Sequence, residues 1–406
     1  MIEHLSEKQA DILDFVVSDD MALICDGAVR TGKTTVMGAG FLIWAMEYYD
    51  RTNFGICGKT VQSAERNVIK PITENTDLPY SMEYKVTTKI LTVRCGEKEN
   101  WFYVFGGKDE SSYMLIQGIT LAGVFFDEVA LMPKSFVEQA LSRAISYEHP
   151  KYWFNCNPGS PNHWFYKEWI LPEKPGVRHL HFLLEDNPVL TPGMIERTKA
   201  LHSGVFYARY IEGRWVVAEG LVYDCFHAEE MSFDILPDAY YTYYISVDYG
   251  TQNPCSMGLW AVNSSSGVAY RVSEYYYSGR AEKAQKTDEE YYEALEKLAG
   301  DHYIEYVVVD PSAASFIETI RRHERFDVRK ANNDVLFGIR TVATLLQRGR
   351  IKIHRSCQDT IREFGLYSWD DKATEDRVIK DNDHAMDDIR YFVMTILRRE
   401  LRWEVW

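Results

Sequence analysis

The chain has 406 residues, 46% of them hydrophobic, and a formal net charge of −15. That length and apolar content suit two to three domains with substantial cores and exclude global disorder. The acidic balance argues against a surface coated in basic residues for nucleic acid, while leaving room for local basic grooves.

The seven cysteines are scattered and show no C-x-x-C spacing, which points to a reducing compartment rather than a disulfide scaffold. The first residues, Met1-Ile2-Glu3-His4, lack a cationic region leading into an apolar one, so no signal peptide is expected. No apolar run approaches the roughly 18–20 residues that span a bilayer, so no membrane partner is expected.

Leu5 to Gln9 opens a short helix with Ser6 as its N-cap, and Gln9 is placed to read an adenine edge ahead of a nucleotide loop. The apolar run Met21 to Cys25 then leads into Gly27-Ala28-Val29-Arg30-Thr31-Gly32-Lys33-Thr34, a full match to G-x-x-x-x-G-K-[ST]. A helix-compatible apolar run from Thr35 to Tyr49 follows, completing the strand–loop–helix context that a P-loop requires. Gly27 and Gly32 let successive N–H groups face an anion, and Lys33 is expected to reach the β- and γ-phosphates. Arg30 and Thr31 complete the expected ATP-binding loop, and Thr34 would ligate Mg²⁺.

Asn53 to Gly58 reads as a strand and Thr60 to Ile69 as a helix closed by Pro71. Lys89 to Arg94 and Asn100 to Phe105 alternate like a hairpin. Leu121 to Phe126 is an apolar strand ending in Asp127-Glu128, a Walker B pattern. Asp127 would share the metal side of the P-loop, and Glu128 would orient and deprotonate the attacking water. Arg143, on an expected helix Val137–Ile145, is a candidate arginine finger in cis or in trans, as is Arg30. Tyr152 to Phe154 forms another strand, and Asn157 beyond it is a candidate γ-phosphate sensor that couples hydrolysis to movement.

Pro172 to Thr191 is rich in Pro and turn residues, and Pro192 to Ile211 reads as one helix. The expected organisation is a nucleotide-binding domain at 1–212, a passage at 213–237 and a second domain at 238–406.

The second half opens with Tyr243 to Val247, a strand that ends in Asp248. Strands at Ser256–Trp260 and Ala269–Tyr277 follow, with Glu274 on the latter, then a helix from Lys283 to Ala299. Tyr303 to Val309 is a strand ending in Asp310. A final helix, expected to reach about Arg399, opens with Asp383-His384-Ala385-Met386-Asp387-Asp388. Two strand-terminal aspartates and one on a helix are the minimum for a two-metal phosphodiester hydrolase holding Mg²⁺ or Mn²⁺. Asp248, Asp310 and Asp387 are the expected metal ligands, with His384 as ligand or proton carrier and Glu274 as a further candidate.

The set of motifs resembles the large terminase subunit of tailed bacteriophages, in its shorter-chain branch. The resemblance runs from Leu5 to about Arg399 and rests on the P-loop, Asp127-Glu128, Asn157, and the acid set Asp248, Asp310 and Asp383-His384-Ala385-Met386-Asp387…Arg390-Tyr391. It departs from the family pattern at Arg30-Thr31, where small residues are more usual, and at Asp388, which doubles Asp387. It implies an α/β architecture: an N-terminal P-loop ATPase with a mainly parallel sheet, then a ribonuclease H-like mixed α/β nuclease. It implies ATP and Mg²⁺ as cofactors, duplex DNA as substrate, and a portal protein and a small terminase subunit as partners. It also implies a homo-oligomeric ring during packaging, a monomer being compatible with the isolated chain, working in the host cytoplasm and absent from the mature virion. Two rival readings stand beside it. A helicase-like ATPase-nuclease for repair or defence would need a second motor domain, for which the chain has no room. A non-enzymatic nucleotide-dependent scaffold would make the acid cluster structural.

Overall fold

The computed structural model describes residues 5–398 apart from 76, 203, 252, 372, 374 and 375. Met1–His4 and the expected helix end at Arg399 lie outside the described residues. The chain divides into two compact units. One runs to Ala200 and takes back Val205–Val217; the other holds Leu201–Gly204 and the chain from Ala218 onward. The stretch 213–237 is therefore shared out, five residues packing with the first unit and the rest with the second.

The first unit is built on eight strands: β1 (Ala22–Gly27), β2 (Asn53–Gly58), β3 (Ser81–Lys85), β4 (Ile90–Cys95), β5 (Lys98–Gly106), β6 (Gly123–Asp127), β7 (Lys151–Asn155) and β8 (Val177–Phe182). Their order is β3-β4-β5-β2-β6-β7-β1-β8, parallel except for the β3-β4-β5 meander at one edge. β1, β6 and β7 are buried at every position, as apolar strands covered on both faces should be. One face packs under the helix Lys33–Tyr48, with Phe41 and Trp44 against Phe54, Phe125 and Trp153. The other packs under the helix Lys134–Ser142, where Phe136 and Val137 meet Phe126 and Phe154.

Three expectations in this unit need correction. Pro71 does not close the helix begun at Thr60. The chain turns α over Val61–Ala64, π over Glu65–Ile69 and α again over Lys70–Thr73, with Pro71 in the first turn of the last piece, where its missing N–H costs little. The turn-rich stretch Pro172 to Thr191 contains β8, an edge strand paired with β1 over its whole length. The helix expected over Pro192 to Ile211 is two, Pro192–Lys199 and Gly204–Tyr210.

The second unit has seven strands: β9 (Ser232–Phe233), β10 (Tyr241–Asp248), β11 (Cys255–Asn263), β12 (Ala269–Tyr277), β13 (Ile304–Val309), β14 (Val328–Lys330) and β15 (Ile351–His354), in the order β14-β13-β10-β11-β12-β15-β9. β10, β11 and β12 form an antiparallel meander, and β13 and β14 add in parallel beyond β10. This mixed order is that of a ribonuclease H-like sheet. The helix expected from Lys283 begins at Asp288, because Thr287 caps it through Glu290 N and leaves the preceding residues outside.

Candidate active sites

Parallel α/β sheets carry ligands at the carboxyl ends of their strands, and there the first unit gathers its polar side chains. Gly27 ends β1 at φ 123°, and a β-carbon on it would lie 2.0 Å from the Phe182 carbonyl oxygen, so only glycine lets the loop leave the sheet beside β8. Gly32, at φ 79°, caps the helix Lys33–Tyr48, whose N-terminal N–H groups and positive dipole end face the loop. The Lys33 ammonium is buried and held by the Ala28 carbonyl at 2.6 Å and Thr31 Oγ1 at 3.1 Å. Burial pushes its pKa down against the pull of Glu128 and Asp26.

Thr34 and Asp127 meet across the gap between loop and β6. Thr34 Oγ1 is 3.3 Å from Asp127 Oδ1, and Asn155 Nδ2 donates to both, at 2.6 Å and 2.9 Å. Asn67 Nδ2 donates to the other Asp127 oxygen at 3.0 Å, from within the π turn. Burial raises the Asp127 pKa although these three bonds favour the anion, which fits a carboxylate that a cation would stabilise. Glu128 sits in the left-handed region at φ 61°, an uncommon place for glutamate and typical of functional strand ends. Asn157 joins the two halves of the site: its Nδ2 donates to Glu128 Oε1 at 3.0 Å and its Oδ1 lies 3.5 Å from Lys33 Nζ.

The remaining expectations fare differently. The Gln9 side chain is engaged at both ends by backbone, accepting from Ser6 N at 3.2 Å and donating to the Thr31 carbonyl at 2.9 Å. It thus braces the P-loop. Arg30 is exposed at φ 59°, its carbonyl held by Asn187 Nδ2 at 2.6 Å. Arg143 is not brought to the phosphate site of its own unit. It ends the helix Lys134–Ser142, beside Gln139, and its carbonyl accepts from Leu121 N ahead of β6. Leu121 lies about 20 Å of extended chain from Asp127. Among the polar residues of this site, Asn67 and Asn155 were missed in the sequence, since neither stands in a motif.

In the second unit, β10 and β13 are neighbours in parallel, Val247 paired with Val309. Asp248 and Asp310 therefore leave adjacent strand ends, with Cα atoms about 5 Å apart. The helix His384–Phe392 covers them. His384 Nδ1 meets Asp248 Oδ2 at 2.9 Å, and Tyr391 donates its hydroxyl to Asp310 Oδ2 at 2.9 Å. Burial, then the nearby Asp387, lifts the Asp248 pKa to about 6 in spite of the His384 bond. His384 is raised in turn: burial lowers it, but Asp248 and Asp383 more than compensate.

Asp387 and Asp388 part company. Asp387 faces Lys380 Nζ at 3.2 Å and Arg390 NH2 at 2.9 Å, and the same ammonium reaches Asp383 at 3.0 Å. Asp388 is fully buried and belongs to the core: it takes the Arg271 guanidinium in a two-pronged pair together with the Ser246 and Ser256 hydroxyls. Gly258 makes room for that arginine, since a β-carbon there would meet it at 2.0 Å. Glu274 is no ligand candidate: its carboxylate caps the helix Gln358–Phe364, accepting from Asp359 N at 2.8 Å and Thr360 N at 3.0 Å. A missed acid is Glu363, buried beneath His384, accepting from Tyr276 and from Ala385 N, both at 2.6 Å. Burial lifts it to about 7.

Asp248, Asp310 and Asp387 are hard oxygen donors of the type Mg²⁺ and Mn²⁺ prefer. Among the described residues, no three His, Cys, Asp or Glu side chains hold one metal position as they stand. The Lys380 ammonium instead occupies the place of a cation between Asp383 and Asp387. A cleft of about 390 Å³ opens beside the two strand ends, lined among others by Tyr249, Thr251, Asn253 and Ser312.

Sheet orders and sites together define a P-loop ATPase unit joined in one chain to a ribonuclease H-like nuclease unit. The model for "Terminase large subunit, T4likevirus-type, N-terminal" matches residues 24–229, and that for "Terminase RNaseH-like domain" matches 247–395. The chain belongs to the large terminase subunit family. It is similar to the large terminase of a thermophilic bacteriophage in complex with ADP, at 46% identity and TM-score 0.90, over 97% of this chain and all of that one. The protein of that thermophilic phage in complex with ATP-gamma-S gives 46% identity and TM-score 0.89 over the same shares. The large terminase subunit of Escherichia phage T5 is 22% identical over 232 residues; that match spans 54% of this chain and about half, 52%, of the phage T5 protein. No helix among the described residues is long and apolar enough to cross a membrane.

Proposed function

We propose that this chain is the motor and the cutter of viral DNA packaging. ATP hydrolysis in the first unit would drive duplex DNA into a capsid, and the second unit would cut concatemeric DNA as packaging starts and ends. The observation that carries the motor half is the pair of contacts through Asn157, which put the phosphate-binding Lys33 and the base Glu128 on one side chain. Glu128 would take the proton of the attacking water, Asn157 would hold Glu128 in register with the γ-phosphate, and Thr34 and Asp127 would hold Mg²⁺. The complexes of the thermophilic phage relative with ADP and ATP-gamma-S support nucleotide binding at this loop.

In the second unit Asp248, Asp310 and Asp387 would hold Mg²⁺ or Mn²⁺, with His384 bound to Asp248 and orienting it. Such ions supply an activated water and stabilise the leaving 3′ oxygen. Asp387, which meets Lys380 and Arg390 in this structure, would contribute its carboxylate to such an ion. DNA contacts made chiefly to phosphate make binding salt-sensitive and blind to sequence. A portal protein, a small terminase subunit and a ring of like chains in the host cytoplasm complete the reading, with Arg143 reaching a neighbour's nucleotide in trans. The domain boundary falls near Val217, with ATPase before it and nuclease after. The helicase-like alternative is not favoured, because the second unit is a nuclease-type sheet and not a second motor.

Two variants test the division of labour. Glu128→Ala should bind ATP and lose turnover, while Asp248→Ala should lose Mg²⁺-dependent plasmid cleavage and keep ATPase. Undiminished hydrolysis in the first, or nicking at the wild-type rate in the second, removes the role assigned to that residue.

A further inference from the structure

Asp26 is the residue before Gly27 at the end of β1, and it is almost wholly buried, 1% exposed. Phosphate chemistry does not use it. Its carboxylate accepts from His179 Nε2 at 2.8 Å and His181 Nδ1 at 2.9 Å on one oxygen, and from Trp215 Nε1 at 2.6 Å on the other. The two histidines alternate along β8, so both rings fall on the face that looks at Asp26, whose strand partner is His181. Burial alone would raise this acid; His179 and His181 hold it well below the usual carboxylate range, as an anion.

Trp215 comes from the segment by which the chain leaves the first unit at Val217. The same segment touches the P-loop at two further points. Val29 N donates to the Tyr210 carbonyl at 2.8 Å. Gly213, at φ 69°, lies so close that a β-carbon would stand 2.9 Å from His181 Nε2 and 3.3 Å from Ala28 N. Loop residues on both sides of Gly27 are thus fastened to residues 210–215.

We propose that Asp26 and Trp215 are positioning residues that transmit the state of the nucleotide loop to the chain leaving the ATPase unit. A bond from an N–H to a buried carboxylate is costly to leave unmade, so a shift of the loop moves the segment before it breaks the contact. Ala218, one residue beyond Val217, already belongs to the nuclease unit, and the displacement is delivered there through the backbone. The same anchor keeps Trp215 against Tyr166, ring centres 5.0 Å apart and planes tilted by 38°, so the exit segment moves as a packed piece. This proposal rests on the reading of the loop as an ATP site, and its test measures that separately.

Hydrogen exchange across residues 218–231 of the full chain is followed with and without ATP-gamma-S, alongside the nucleotide Kd, for the wild type, Trp215→Phe and Asp26→Asn. Trp215→Phe keeps an aromatic ring, smaller than the indole, and removes the N–H. The wild type should change its exchange over 218–231 on binding nucleotide. Trp215→Phe should lose at least half of that change while its Kd stays within about threefold, because the lost bond does not touch phosphate. Asp26→Asn should act in the same direction, and the double variant should add little to either alone. The proposal fails if Trp215→Phe keeps the full nucleotide-linked change, if its Kd weakens tenfold or more, or if the wild type binds nucleotide with no change over 218–231. A wild type that binds no nucleotide overturns the ATP reading itself. Should Asp26→Asn not fold, Trp215→Phe decides.

Discussion

Asn157 donates its side-chain amide to Glu128 at 3.0 Å while its carbonyl faces Lys33 at 3.5 Å. One short side chain just beyond β7 therefore spans Lys33 and Glu128, the groups proposed to bind phosphate and to take the proton from water. Removing it leaves both partners in place but unaligned. Asn157→Ala should lower ATPase kcat by about 10- to 100-fold, the usual scale for losing one element of positioned base catalysis, with ATP KM changed far less. Steady-state ATPase assays decide; an equal loss through KM alone would make Asn157 a binding group only.

Asp127 receives Asn155 at 2.9 Å and Asn67 at 3.0 Å, one on each oxygen. Both amides orient the carboxylate, and Asn155 also donates to Thr34 Oγ1 at 2.6 Å. Outer-shell partners of metal ligands typically contribute about 10- to 100-fold in metal affinity. Asn155→Ala should therefore raise the Mg²⁺ concentration for half-maximal ATPase by about tenfold, and Asn67→Ala should act in the same sense. A Mg²⁺ titration that overlays the wild type would remove Asn155 from the site.

Neighbouring aspartates on one helix should differ in what their removal does. Asp388→Ala takes from the fully buried Arg271 guanidinium its two-pronged partner and leaves it only Glu274, at 3.9 Å, as a counter-charge. Breaking one partner of a buried pair costs about 3–5 kcal/mol, so thermal unfolding should shift to lower temperature by many degrees. Asp387→Ala also takes a counter-charge from a buried guanidinium, that of Arg390, but Arg390 keeps Asn333 Oδ1 as an acceptor at 2.9 Å and Lys380 keeps Asp383 at 3.0 Å, so it should destabilise less than Asp388→Ala while losing plasmid cleavage. If Asp388→Ala unfolds at the wild-type temperature, the buried pair is not what holds the helix His384–Phe392 against the sheet.

Glu363 links the nuclease site to pH. Burial raises it to about 7, against 4.5 for the free side chain. Between those values the folded protein keeps a proton that the unfolded chain releases, so folding is favoured at the acid end and stability falls as pH rises through this window. The effect of this one group is about 3 kcal/mol between pH 4.5 and 8. Glu363→Gln removes it. The stability of wild type relative to that variant should decline from pH 5 to pH 8, measured by chemical denaturation at each pH. A flat difference would mean that Glu363 is ionised throughout.

Much of the molecule was legible in the sequence because its signals are local. The P-loop glycines specify backbone angles at their own positions, and strands that end in acids place those acids at a sheet edge whatever surrounds them. Asn155 escaped notice because an asparagine ending an apolar strand carries no pattern; its role arises only when β6 and β7 pair and set it beside Asp127. His179 and His181 were hidden in a stretch whose prolines and turn residues masked a six-residue edge strand. Glu274 and Glu363 were indistinguishable as acids on regular elements until the helix ends they cap were in place.

The sequence by itself determined the two units, their order along the chain, and the P-loop residues and acids at their strand ends, since motif spacing and strand-end acids depend on short-range geometry. Tertiary structure alone decided which of two adjacent aspartates meets Lys380 and Arg390 and which is spent on Arg271 in the core. Successive helix residues point about 100° apart. Their fates were fixed by Arg271, 117 positions away in sequence, which needed a buried anion and found Asp388.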